Sequence, residues 1–269
     1  MAFDGPVDDI AAPTIRQRQR LLNTLGDLTP DAWQTPSRCA GWTVQDVAAH
    51  LAGVNQFWSF SIAMGVAGKP SKLLTAFDPA STPADMVAAM TDLSPKQVLA
   101  QLTDSTNALE AAIHALTTAD WDRLAEAPPG HIPIRLVAHH ALWDCWVHER
   151  DICLPLGLAV DEEPDELAAC LRYSAAVGPS FALGNGRALT GVFGVAAHHP
   201  EVKFTLTAGD TITVKSVETH GDGVPCLTGS ACDLIEMLSI RMPIPADTPN
   251  EWVDLLGILA TTFTAGPAT

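Results

Sequence analysis

The sequence predicts a mainly α protein: a four-helix bundle followed by a smaller α+β C-terminal domain. Three observations predict it. Four long segments before residue 160 repeat apolar residues at helical spacing, whereas runs rich in β-branched residues, VKFTLT (202–207) and TITVKSV (211–217), appear only after residue 200. Between the two regions lies DEEPDE (161–166), an acidic and solvated stretch. The expected boundary falls between residues 160 and 185, giving domains over 1–160 and 165–269.

The elements follow in order. From Asp8 to Leu28 the pattern IAAPTIRQRQRLLNTLGDL keeps one apolar stripe and stops near Gly26 and Asp27. A Pro- and Ser-bearing connection leads to Thr43, which with Asp46 three residues on forms a capping-box pattern for a helix over 44–64. The stretch from Gly65 to Leu93 is too long for a plain loop, and a short helix is expected within it over 84–90. Ser94-Pro95 starts a third long helix, QVLAQLTDSTNALEAAIHAL, with a clean apolar face. After APPGHIP comes the fourth, within Ile132 to Gly157, with Pro133 tolerated in its first turn and Pro155 and Gly157 ending it. A fifth helix is expected over 164–177. The turn AGD joins the two β-branched strands, Pro225 to Thr228 suggests another short strand, Ser230 caps ACDLIEMLSIR, and a last helix begins near Pro249 or Asn250.

Composition narrows the function classes. The chain of 269 residues is 47% hydrophobic and only 17% charged, which is globular and apolar. The longest apolar runs, around 188–197 and 253–263, are too short and interrupted for a membrane span. The start MAFDGPVDD is acidic where a signal peptide is basic and then apolar, so a cytoplasmic protein is expected. A formal charge of −16 with no basic run argues against nucleic acid as partner. A small molecule is the expected partner; the sequence is silent on oligomeric state. The six cysteines (39, 145, 153, 170, 226 and 232) contain no C-x-x-C pair and read as reduced, mostly buried residues.

The chemistry concentrates in the fourth helix. Asp144 and His148 are four residues apart, on one helical face, inside the most aromatic run of the chain. Bulky neighbours (Leu142, Trp143, Cys145, Trp146, Val147) turn at least one of the pair inward, where it has to be paired or bound to a metal. Spacing alone also fits a surface pair. A third ligand has to come from another helix, and His50, on the otherwise apolar stripe of GWTVQDVAAHLAGVNQFW, is the candidate. By itself His50 fits a satisfied core histidine equally well. Two histidines and one carboxylate with positions left over make a catalytic metal site. His140, Asp144 and His148 form a rival set, although ligands spread over three turns of one helix converge on one ion less easily than ligands from facing helices. Asp151 either holds the His148 imidazole from outside or pairs with Arg150 at the surface. Nothing near Cys145 marks it as a reactive thiol.

Three runs, WQTPSRCAGWTVQDVAAHL, ALWDCWVHERDICLPLG and PCLTGSACDLIEMLSIR, resemble in order and separation the mycothiol-dependent maleylpyruvate isomerase family. Its N-terminal part belongs to the DinB-like metal-binding four-helix bundles. The resemblance covers most of the chain and is strongest over its first 157 residues. It implies a divalent metal, usually zinc, on the histidine of a DVxxHL run and on an E-x-x-x-H pair. By position these are His50, Asp144 and His148. It also implies mycothiol as thiol cofactor and a functional arginine at the end of the late segment, here Arg241. One departure stands out, because Asp144 occupies a position where the family commonly has Glu.

A metal with an open position lowers the pKa of a bound thiol and so provides a nucleophile at neutral pH. The expectation is therefore a metal-dependent enzyme using mycothiol for isomerisation of, or S-transfer to, an activated small molecule, with Arg241 or Arg38 as the cation for a dicarboxylate. Two rivals share the residues: a metal-dependent hydrolase using a metal-bound water, and a non-catalytic metal-containing binding module.

Overall fold

Thr43 fixes where the helix carrying His50 begins. Its N–H donates to the Asp46 carboxylate at 2.8 Å, and the Asp46 amide donates back to the Thr43 hydroxyl at 3.3 Å. Two amides that a helix start leaves unpaired are thus satisfied. The structure, a computed structural model, describes residues 1–6, 9–79 and 81–263. In chain order these form β1 (Ala2–Phe3), α1 (Ala11–Gly26), α2 (Val44–Val66), α3 (Thr82–Ala88), α4 (Pro95–His114), β2 (Leu124–Ala127), β3 (Gly130–Pro133) and α5 (Ile134–Cys153). There follow α6 (Pro164–Gly184), β4 (Gly191–His198), β5 (Val202–Ala208), β6 (Thr213–Ser216), β7 (Cys226–Ser230), α7 (Ala231–Leu238) and α8 (Asn250–Phe263). Asp8, where the sequence pattern starts the first helix, lies outside the described residues.

The chain groups into two compact units, residues 7–127 with 131–161, and residues 1–6, 128–130 and 162–269. In the first, α1 packs on α4 and α5, and α2 packs on the same two helices, which closes the four-helix bundle the periodicity predicts. Its apolar centre includes Leu21, Leu25, Val47, Leu51, Val98 and Ile152. Gly65 lets the hairpin strand β2 lie against α2, since a Cβ there would meet the Leu124 carbonyl oxygen at 2.8 Å. The connection from 65 to 93 holds a helix as expected, over 82–88.

The second unit is α+β. Its sheet has the order β1-β6-β5-β4-β7, antiparallel between β4, β5 and β6 and parallel where β1 meets β6 and β7 meets β4. Helix α6 packs on β5, β6, α7 and α8.

Several elements differ from the sequence reading. The apolar run 188–197 contributes an inner strand, β4, with neighbours on both sides; its Gly194 makes room for His220, whose Cδ2 lies 2.7 Å from where a Cβ would be. APPGHIP is not a plain connection, because β3 pairs with β2 there. Helix α5 starts at Ile134, with Pro133 as its N-cap. Helix α6 continues to Gly184 through Pro179, a residue that normally ends helices, as tertiary packing on α7 and α8 overrides the local signal. Among the described helices, none is long and apolar enough to cross a membrane.

Candidate metal centre

Helix α5 buries 17 of its 20 residues, so each charge on it needs a partner close by. Most have one. Glu149 takes a two-pronged contact from Arg20, Nε to Oε1 at 2.9 Å and Nη2 to Oε2 at 2.8 Å, plus a hydrogen bond from Gln17 at 3.1 Å. Asp151, with no exposed surface, accepts at Oδ2 from His148 Nδ1 at 3.0 Å and from the Cys39 thiol at 3.2 Å, while Arg38 Nε lies 3.4 Å from Oδ1. Elsewhere in the bundle Glu126 is held by the Ser71 hydroxyl and two backbone amides at 2.7–2.8 Å.

Among the carboxylates of the helix, Asp144 is the exception. Its Oδ2 is buried without a hydrogen-bond partner, at 3.9 Å from His50 Nε2, and its Oδ1 is 3.7 Å from His148 Nε2. The rings of His50 and His148 meet edge-on at 4.9 Å between centroids. One donor atom from each of His50, Asp144 and His148 lies within 4.8 Å of the other two. Two ligands about 2.0–2.1 Å from one tetrahedral ion stand about 3.4 Å apart, so the two Asp144 contacts need to shorten by about 0.3–0.5 Å around a cation. An orphaned buried carboxylate oxygen facing two imidazole nitrogens fits a divalent metal in both charge and donor type.

The electrostatics agree. Burial pushes the Asp144 carboxyl up, but the His50 and His148 rings outweigh it and hold the group well below the usual carboxylate range. Burial pushes His50 down, against the pull of Asp144. For His148 burial also opposes charge, yet the bonds to Asp151 and Cys39, with the Asp144 charge, hold its pKa up at about 10. Its Nδ1–H is thus committed to Asp151 and its Nε2 faces Asp144, the orientation a metal-binding imidazole takes. A proton competes with a cation for that Nε2.

The other candidates separate. His140 joins neither ligand-type cluster found among the described residues; it packs on Trp58 at 4.9 Å and Trp143 at 5.4 Å, and burial pushes its pKa down to about 4. His139 Nδ1 donates to the Arg135 carbonyl at 2.8 Å. The Cys145 thiol is buried and pushed up to about 12 by that burial, which makes it inert. Arg38 faces Asp151. Arg241 lies in the second unit, just after α7, where its Nη1 donates to the Ser239 carbonyl at 3.2 Å. Of the two readings of Asp151, the structure bears out the contact with His148, at 3.0 Å, whereas the sequence did not reveal that Cys39 completes a second cluster with them. Cys39 and Asp151 are 112 positions apart, and no local pattern links them.

Fold and site together define a class: four-helix bundles that present two histidines and one carboxylate from facing helices. A family model, the mycothiol maleylpyruvate isomerase N-terminal domain, matches residues 15–153, just over half of the chain. The chain belongs to that family, which is named for an enzyme. Its fold matches crystal structures of the mycothiol-dependent maleylpyruvate isomerase and of a histidine-to-alanine mutant of it, each with a TM-score of 0.64. Identity is 15% and 14%, over 91% of this chain and 97% of each of those. No curated protein sequence matches the chain.

Proposed function

We propose that this chain is a metal-dependent enzyme that uses a low-molecular-weight thiol, mycothiol, as nucleophile to isomerise an activated small molecule. The observation that carries the proposal is the unpaired Asp144 Oδ2 beside His50 and His148, in a bundle where the neighbouring buried carboxylates are satisfied by protein donors. In this reading residues 1–160 form the metal-binding bundle, residues 165–269 the smaller domain, and the protein works in the cytoplasm.

His50, Asp144 and His148 hold the metal. A divalent cation there, zinc by the family's example, supplies the Lewis acidity that favours thiolate over thiol at neutral pH. Asp144 contributes one negative charge, so the site keeps net positive charge for an anionic sulfur. Asp151 keeps the His148 ring turned with Nε2 toward Asp144. A thiolate adds to one carbon of an activated double bond, the resulting single bond rotates, and elimination returns the thiolate and the other geometric isomer. If elimination is blocked, the same addition gives an S-transfer product. Arg241 is the cation assigned to an anionic substrate group.

The test is elemental analysis of protein purified without added metal, then thermal shift with mycothiol. Thiol at a thousand times its Kd stabilises by about 4 kcal/mol. A shift with mycothiol but not with other small thiols supports the reading. Metal without thiol binding points to a metal-dependent hydrolase, and neither points to a binding module.

A further inference from the structure

Both metal histidines touch the same short turn, Ser37 to Trp42, which precedes α2. The turn is closed on itself: the Ser37 N–H and hydroxyl both donate to the Trp42 carbonyl at 2.8 Å, and the Trp42 N–H donates to the Cys39 carbonyl at 3.0 Å. Gly41, at φ +80°, takes the left-handed backbone this closure requires. From it the Trp42 ring packs on His50, at 5.4 Å between centroids. The Cys39 thiol reaches Asp151 Oδ2 at 3.2 Å and lies 3.6 Å from His148 Nδ1. Arg38 is fastened twice, its amide to the Asp151 carbonyl at 3.1 Å and its Nε against Asp151 Oδ1 at 3.4 Å.

We propose that this turn is a clamp on the metal centre and that Cys39 is its positioning residue, acting on His148 through Asp151. The inference rests on the metal-centre reading above. Asp151 Oδ2 is shared by His148 and Cys39, and Oδ1 faces Arg38, so the turn fixes the carboxylate that fixes the imidazole. A thiol suits the place as a weak donor: it orients Asp151 while leaving most of the oxygen's basicity for the His148 Nδ1–H. The two hydrogen bonds converging on Asp151 Oδ2, 3.0 Å from His148 and 3.2 Å from Cys39, bring the thiol to 3.6 Å from the imidazole nitrogen.

The test compares full-length wild type with Cys39→Ser, Cys39→Val and Asp151→Asn in two measurements. In zinc titrations against a competing chelator, Cys39→Ser, which keeps a donor, should bind within about twofold of wild type; Cys39→Val should bind roughly tenfold more weakly, and Asp151→Asn about 10–100-fold more weakly. In metal-free protein, the low-field NMR signal of the hydrogen-bonded His148 Nδ1–H should persist in Cys39→Ser and be lost in Cys39→Val. Wild-type behaviour of Cys39→Val in both overturns the clamp. So does a thiolate-to-metal absorption band in the cobalt-loaded protein that Cys39→Ser abolishes, because Cys39 would then be a ligand. If wild type takes up no zinc, the metal-centre reading fails, and the Nδ1–H signal of Cys39→Val still decides the clamp.

Discussion

Two carboxylates five residues apart on α5 meet opposite fates. Glu149 is closed off by Arg20 and Gln17, whereas Asp144 faces two histidines and keeps one buried oxygen without a partner. Helix and charge are shared, and although Asp144 is a little more exposed than Glu149, the main difference lies in what the facing helices bring. Helix α1 brings donors to Glu149 and makes it part of the scaffold; α2 brings His50, an imidazole, and makes Asp144 part of a site. A buried carboxylate oxygen left without a donor, beside two imidazole nitrogens, is a place where a cation can replace the His148 proton as the partner of Asp144.

The strongest attempt to break this contrast is His148→Ala. It should reduce bound metal from about one equivalent to near zero while far-UV circular dichroism stays unchanged; a stoichiometric ion retained in the variant sinks the assignment. Next is Glu149→Gln, which leaves the Arg20 guanidinium without its charged partner and should lower unfolding stability by about 3 kcal/mol in urea titrations. Metal content should not change, and if it falls with Glu149→Gln the division between scaffold and site is wrong.

A third measurement uses His140, one turn before Asp144 and neutral in the fold. Its pKa is pushed down to about 4 by burial, against an ordinary value of 6.5. Between those values the unfolded chain binds the proton and the native protein does not, so stability is lost as pH falls from about 6.5 to 4, by up to about 3 kcal/mol. Denaturant titrations across that window should show a shallower decline in His140→Gln. The smallest effect is expected from Thr43→Ala, which removes the capping hydroxyl of the helix carrying His50 and should cost about 1 kcal/mol with little change in zinc affinity.

Local signals survive into the structure where one segment contains everything needed. The Thr43–Asp46 cap, the helix starts near Ser94 and Ser230, and the pairing of 202–208 with 213–216 are of this kind. Strand β4 was not legible, because GVFGVAAH is small and Gly-bearing, without alternation, and becomes a strand only between β5 and β7. Helix α6 runs past Gly178-Pro179 for the related reason that packing outweighs propensity.

For the site, the sequence by itself determined that Asp144 and His148 share a helical face, since four residues make about one turn whatever surrounds them. It also supplied His50 as a histidine on an apolar stripe. Only the tertiary structure decided that His50 faces that pair, that His140 packs on tryptophans instead, and that Arg38 and Cys39 lie at Asp151. The reason is physical: spacing within a helix follows from backbone geometry, but contacts between residues a hundred positions apart depend on which apolar faces bury one another, and no short stretch of chain contains that information.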